Sequence, residues 1–280
     1  MLKEFENYLL TEGKSKNTIQ SYSRHIQLYF NWFNDSYGSQ CNKLYRENIL
    51  EYKAYLKNIK KDDAKTINAK LAAISKFNEF LINTNRQSDM VINKKDNIKI
   101  QQQYASPATV TKKDVEEFRQ KILENEGIRN FSIVTLIAYT GVRISEALNI
   151  KMNDFNLESK ELIIRDGKGS KQREIPLNDK VVNSLRGWLK ERTANGIQSE
   201  YLFVSNQGNS IDRTVINKLF NKYSETITPH TLRHFFCSVA IENGFAIHEV
   251  ANIAGHSNIH TTLLYTNPNK QKLKEKMNLL

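Results

Sequence analysis

Apolar positions recur at helical spacing through the first eighty residues. Leu2, Phe5, Tyr8 and Leu9 form one stripe, closed by Gly13. Ile19, Tyr22, Ile26, Tyr29, Phe30 and Phe33 predict a longer helix from about Ser15, and a third is predicted over about 46–58. A fourth begins after Asp62 and Asp63 and would bury Ile67, Leu71, Ile74, Phe77 and Phe80. Four helices with short connections imply a small bundle. Residues 84–109 lose the periodicity and turn polar, with Pro107 near their end, which is the pattern of a linker. The expected division is therefore a bundle at 1–84, a linker at 85–109 and a second domain at 110–280, whose tail begins near 268.

The second domain opens at Thr111, where Thr-Lys-Lys-Asp has the spacing of a capping box. Helices are predicted over about 128–140 and 144–150. The one clear strand signal is a hairpin, 161–165 and 173–177, around Asp166-Gly167-Lys168-Gly169. Helical patterns return near 178–193, 212–225, 230–243, 246–254 and 259–266. The fold class is thus mainly α with a small antiparallel β-sheet.

Composition narrows the partners. Four Pro and eleven Gly in 280 residues fit a globular chain, and Cys41 and Cys237 are too far apart to form a CxxC site. The longest apolar stretch, around Ile133–Tyr139, is far short of the ~20 residues that span a bilayer. The acidic start MLKEFENYLL is not a signal peptide, so a cytoplasmic protein without membrane contact is expected. The net charge is +11, with 17 basic against 11 acidic residues before position 105 and 24 against 19 after it. Both halves are basic, as suits a polyanion running along both domains. Lys14, Lys16, Asn17 and Arg24 near the second helix, with Lys65 and Lys70 on the fourth, are the candidate DNA contacts. The flank also includes Lys53, Lys57, Lys60, Lys61, Asn68, Ser75 and Lys76. Any single lysine reads first as part of a solvated helix face; it is the pairing of two basic helices that brings in DNA.

Five of the six histidines lie between residues 230 and 260. His230 and His234 have the i, i+4 spacing of two zinc ligands, but no HExxH pattern and no further ligand completes a site. Thr228-Pro229-His230-Thr231-Leu232-Arg233 instead reads as a capped helix start that presents His230 and Arg233 on one face, an anion site. Gly255 closes the helix before His256, and Tyr265 follows nine residues later.

Thr140-Gly141-Val142-Arg143, His230-x-x-Arg233, Ala254-Gly255-His256 and Tyr265, in that order over about the last 170 residues, resemble the tyrosine recombinases, the phage integrase family. The basic bundle is similar to that family's SAM-like core-binding domain. The resemblance implies that Tyr265 attacks a scissile DNA phosphate, that Arg143 and Arg233 clamp its oxygens, and that His256 adds a hydrogen bond. It further implies that His230 assists proton transfer, that the hairpin lysine Lys168 is the acid to the leaving 5′-oxygen, and that Glu146 buttresses Arg143. Lys171 competes with Lys168 for the hairpin role, and Ala254 stands where the family usually has Leu. The chemistry suits these residue types. Guanidinium forks match the charge that builds on phosphoryl oxygens. A tyrosine with a reference pKa of about 10 is only about 0.1% ionised at neutral pH and needs cationic neighbours and a base.

The activity implied is site-specific recombination through a 3′-phosphotyrosyl intermediate, without metal or other cofactor. The implied partners are duplex DNA with an inverted-repeat core site, three further copies of the chain in a tetramer, and accessory proteins in some systems. The resemblance also implies a C-shaped clamp around the duplex. Because the sequence starts at the bundle, no additional arm-binding domain is expected, as in compact Xer-like recombinases and transposon resolvases. Residues 270–280, with Leu273, Met277, Leu279 and Leu280, are read as a short helix docking on a neighbouring subunit. Two alternatives stay open: a type IB topoisomerase and a non-catalytic DNA-binding regulator. Separately, Arg143–Glu146 reads as a helix ion pair, Tyr265 as a core residue, Lys168 as a solvated turn, and His234, His248 and His260 as structural groups.

Overall fold

The computed structural model describes residues 1–100, 110–165, 172–205, 207–256, 258, 260–263 and 277–278. The chain divides into two units, Met1–Gln102 and Gln103–Leu280.

In the first unit, α1 (Leu2–Thr11), α2 (Lys16–Tyr37), α3 (Arg46–Asn58) and α4 (Ala64–Asn83) form the bundle. Ser15 and Asp63 cap α2 and α4 by accepting from the backbone N–H of Thr18 and Thr66. The predicted stripes meet in one core: Phe5, Leu9, Ile26 and Tyr29 bury against Ile67, Leu71, Ile74 and Phe77. Phe5 meets Phe77 edge-on at 5.2 Å. Burial of each large apolar side chain contributes roughly 1.5–3 kcal/mol.

The polar stretch after α4 does not leave the bundle at once. The Gln87 amide bonds both N–H and C=O of Leu44, and Asn78 bonds Asp89 and Val91. Arg46 forks onto Asp96 at 2.6 Å through both nitrogens, and the Asn68 amide takes both backbone groups of Ile98. These side chains give the segment the partners a strand or helix would have supplied. Polar composition therefore reads here as side-chain tethering of backbone up to Ile98.

In the second unit, α5 (Lys112–Thr140) is broken at Gly127, with φ 80° and ψ 176°. Its two halves are the two helices predicted from Thr111 and over 128–140, and the Thr111–Asp114 capping box is present in both directions. After α6 (Ile144–Leu148) come β1 (Phe155–Asn156), β2 (Glu161–Ile164) and β3 (Arg173–Pro176). They form an antiparallel sheet in the order β1-β2-β3, with Leu162 facing Phe155 on one side and Ile175 on the other. Strand β1 leaves no signal in the sequence, since two residues carry no alternation. The helices α7 (Asp179–Ala194), α8 (Arg213–Tyr223), α9 (Pro229–Glu242), α10 (Ile247–Ala254) and α11 (His260–Leu263) complete the unit. The second half of α5 is its axis: Ile133, Val134, Leu136 and Ile137 are fully buried, with Leu185, Trp188, Leu232 and Phe235 in the same core. No helix among the described residues is long and apolar enough to cross a membrane.

Candidate active site

Two glycines explain how the site is held. Gly141 ends α5 in the left-handed conformation, φ +64°, and a Cβ there would lie 2.3 Å from the Phe236 ring. Its carbonyl accepts from Arg233 Nη1 at 2.7 Å. Gly255 ends α10 at φ +69°, and its carbonyl accepts from Arg143 Nη2 at 2.6 Å. Each glycine carbonyl thus holds an arginine from a different motif, across more than ninety residues of chain.

Arg143 is the N-cap of α6 rather than a residue within it. Its backbone N–H donates to Glu146 Oε2 at 2.8 Å and its Nη1 to Oε1 at 2.8 Å. The i, i+3 pair is therefore a two-point grip, backbone and guanidinium of Arg143 both donating to a nearly buried carboxylate. Burial pulls the Glu146 carboxyl upward, but the hydrogen bonds from Arg173 and Arg143 outweigh it and keep it below the usual range. Arg173, the first residue of β3, grips the same carboxylate at 3.1 and 2.7 Å.

Arg233 is buried on α9, where burial and then the charge of Arg143 lower its pKa to about 10, so it stays protonated at neutral pH. Thr228 caps α9 by accepting from the Thr231 N–H, with Pro229 at the first helical position, as the sequence predicts. His230 and His234 meet through their Nε2 atoms at 2.7 Å, one ring edge-on to the other. His256 bonds the hydroxyl of the fully buried Thr262 through Nδ1 at 2.7 Å. Burial, followed by neighbouring positive charge, lowers all three imidazoles. His234 and His256 fall to about 4, so the rings are neutral at pH 7. His234, which the sequence alone marks only as a structural group, therefore belongs to the cluster.

The structure thus brings together Arg143, Glu146, His230, Arg233 and His256 and adds Arg173, His234 and Thr262. Tyr265, Lys168, Lys171 and most of residues 270–280 lie outside the described residues; the helix predicted over 259–266 is described only at 260–263. Among the described residues no group of three or more His, Cys, Asp or Glu could hold a metal ion. In the first unit, Lys14, Lys16, Asn17, Arg24 and Lys65 are exposed. Lys70 differs: it is half-buried, and its ammonium binds Asp62 at 2.5 Å. Asn68 and Lys76 are also engaged, the former with Ile98 and the latter with Glu12 and Glu79. Their face of α4 works partly as a tether.

Residues 108–272 match the phage integrase family, and residues 2–85 match its N-terminal SAM-like domain. The chain is 56% identical over 280 residues to the TnP I resolvase of Bacillus thuringiensis, covering 99% of both. It is 30% identical to tyrosine recombinase XerA of Pyrococcus horikoshii, covering 98% of this chain and 91% of that one. Among solved structures, the Tn1549 transposon integrase in complex with a circular intermediate DNA superposes with a TM-score of 0.75 at 20% identity, covering 100% of this chain and 99% of that one. With both units matched in order along the chain, it belongs to the phage integrase family, the tyrosine recombinases, which are DNA strand-exchange enzymes.

Proposed function

We propose that the chain is a site-specific recombinase that cuts and rejoins duplex DNA through a 3′-phosphotyrosyl intermediate, exchanging strands between two sites in a tetramer. The observation that carries this reading is the crossed arginine–carbonyl pairing, which fixes two guanidinium groups beside neutral histidines. A diester phosphate seated there meets positive charge where its own negative charge grows. Tyr265 Oη attacks phosphorus, the bond to the 5′-oxygen breaks, and the phenolic proton passes to a neutral imidazole, for which His230 is proposed. Lys168 donates the proton that makes the leaving group a 5′-hydroxyl. The new link is still a phosphate ester, so a 5′-hydroxyl from another strand reverses the step without ATP.

The exposed Lys14, Lys16, Asn17, Arg24 and Lys65 are proposed to contact DNA phosphates; Lys70 would have to exchange Asp62 for a phosphate. The inverted-repeat core site, subunit docking through 270–280 and a cytoplasmic location belong to the same proposal. The 56%-identical resolvase favours resolution of a transposon cointegrate as the biological task.

The test is incubation in EDTA, without ATP, with supercoiled plasmids carrying the DNA that flanks its coding sequence, followed by capture of covalent adducts. Wild type should leave adducts at one discrete sequence and Tyr265→Phe none. Adducts scattered over all sequences would replace the recombinase by a relaxing enzyme. Salt-sensitive binding without any adduct would refute catalysis by this chain.

A further inference from the structure

We infer that Arg173 is a positioning residue that locks the Arg143 clamp and the His256 turn into one rigid unit. This rests on the recombinase reading and deepens it. The period-two alternation of β3 puts Arg173 on the face of Ile175 and Leu177, and its side chain is 9% exposed, against 31% for Arg143. It is therefore Arg143 that faces outward, while Arg173 works from behind it.

All three nitrogens of the Arg173 guanidinium donate inward. Nη1 and Nη2 grip both oxygens of Glu146, and Nε donates to the Ile253 carbonyl at 2.9 Å. Nη2 also lies 3.5 Å from the Ala254 carbonyl. Ile253 and Ala254 are the last residues of α10, where carbonyls lack helical partners and a cation is favoured. One side chain thus caps the helix that delivers His256 and fixes the carboxylate that aims Arg143. The turn between them closes the unit, because the Gly255 carbonyl is itself held by Arg143. Gly255 is required twice: its φ is +69°, and a Cβ would lie 2.7 Å from Arg173 Cζ. A lysine could keep the charge but not the three directed bonds.

If Arg173 positions the site rather than touching DNA, its loss slows chemistry and leaves binding alone. A misplacement of about 1 Å can cost on the order of 100-fold in rate. The experiment uses the full chain and nicked suicide duplexes containing the cleavage sequence recovered from the adduct capture above. Single-turnover cleavage at saturating protein and equilibrium affinity for the same duplex are measured for wild type, Arg173→Lys and Gly255→Ala, with thermal melting alongside. The expected result is a fall in cleavage rate of roughly 100-fold for both variants, with affinity within about threefold of wild type. Gly255→Ala keeps the buried charges and disturbs the same junction, so it decides the matter if Arg173→Lys does not fold. Cleavage at the wild-type rate by folded Arg173→Lys, or by Gly255→Ala where the lysine variant does not fold, would overturn the inference. So would a loss of affinity that accounts for the whole loss of rate. Absence of cleavage by wild type would instead overturn the recombinase reading beneath it.

Discussion

Gly141→Ala tests the logic of the site in one substitution. Two costs arise in the folded state. A non-glycine residue at φ +64° costs roughly 1–2 kcal/mol, and seating a methyl 2.3 Å from the Phe236 ring costs roughly 1–3 kcal/mol of overpacking. Together these are about 2–5 kcal/mol, or roughly 10 °C in the melting of a unit of about 180 residues. Of the two tryptophans, Trp32 sits in the bundle and Trp188 is buried in the second unit. In a Trp32→Phe background, Trp188 fluorescence therefore follows the second unit alone. The two costs separate in a double-mutant cycle: after Phe236→Ala the clash is gone, so Gly141→Ala should cost only its backbone part. A coupling of about 1–3 kcal/mol is expected. Coupling below about 0.5 kcal/mol, or a single-mutant cost below 1 kcal/mol, would refute the reasoning. Activity should fall with stability, because the Gly141 carbonyl that would shift is the one holding Arg233.

Acid should destabilise the second unit over a defined window. His234 and His256 bind a proton at about 4 in the folded chain against 6.5 otherwise, so the unfolded state takes up more protons and stability falls as pH drops from about 6.5 toward 4. Glu146, held below 4.5, adds its own loss only at the acid end. Urea titrations at pH 7 and pH 5 should show the drop, and His234→Gln should reduce it; equal stability at both pH values would contradict the neutral, buried imidazoles. Asp96→Ala should loosen the segment at 91–98 on the bundle, because the Asn93 N–H loses its acceptor and Arg46 keeps only the Val91 carbonyl. The cost should be roughly 1–3 kcal/mol, read as faster amide exchange over that segment, and unchanged exchange would argue against the tether.

The helices were legible because their apolar spacing and caps are local: Ser15, Asp63, Thr111 and Thr228 all cap as their sequence context indicates. The four motifs were legible as a pattern, but not the bonds between them, since a glycine carbonyl carries no sequence signal for the arginine it will hold ninety residues away. Arg173 left a trace. It alternates with Ile175 and Leu177, and an arginine on the buried face of a strand must find a carboxylate or carbonyls there. Residues 85–98 misled for the converse reason: polar side chains lower hydropathy while supplying the hydrogen bonds that hold the segment down.

The site's charge arrangement explains why carbonyls, rather than more carboxylates, orient its cations. Arg143 and Arg173 share one acid, Glu146; beyond it, the three arginines bind carbonyls, Arg233 that of Gly141, Arg143 that of Gly255 and Arg173 those of Ile253 and Ala254. A carbonyl fixes a guanidinium without cancelling its charge. A second carboxylate would aim an arginine equally well, yet it would repel the phosphate the arginine is there to meet. The uncancelled field has a visible consequence, since Arg233, His234 and His256 are all pushed toward their neutral forms by burial and by positive neighbours. A bound phosphate would reverse that pressure and raise the imidazole pKa values. Proton affinity of the histidines would then rise as the negative charge arrives, which is the direction a general base needs when it must stay neutral before attack and hold a proton afterward.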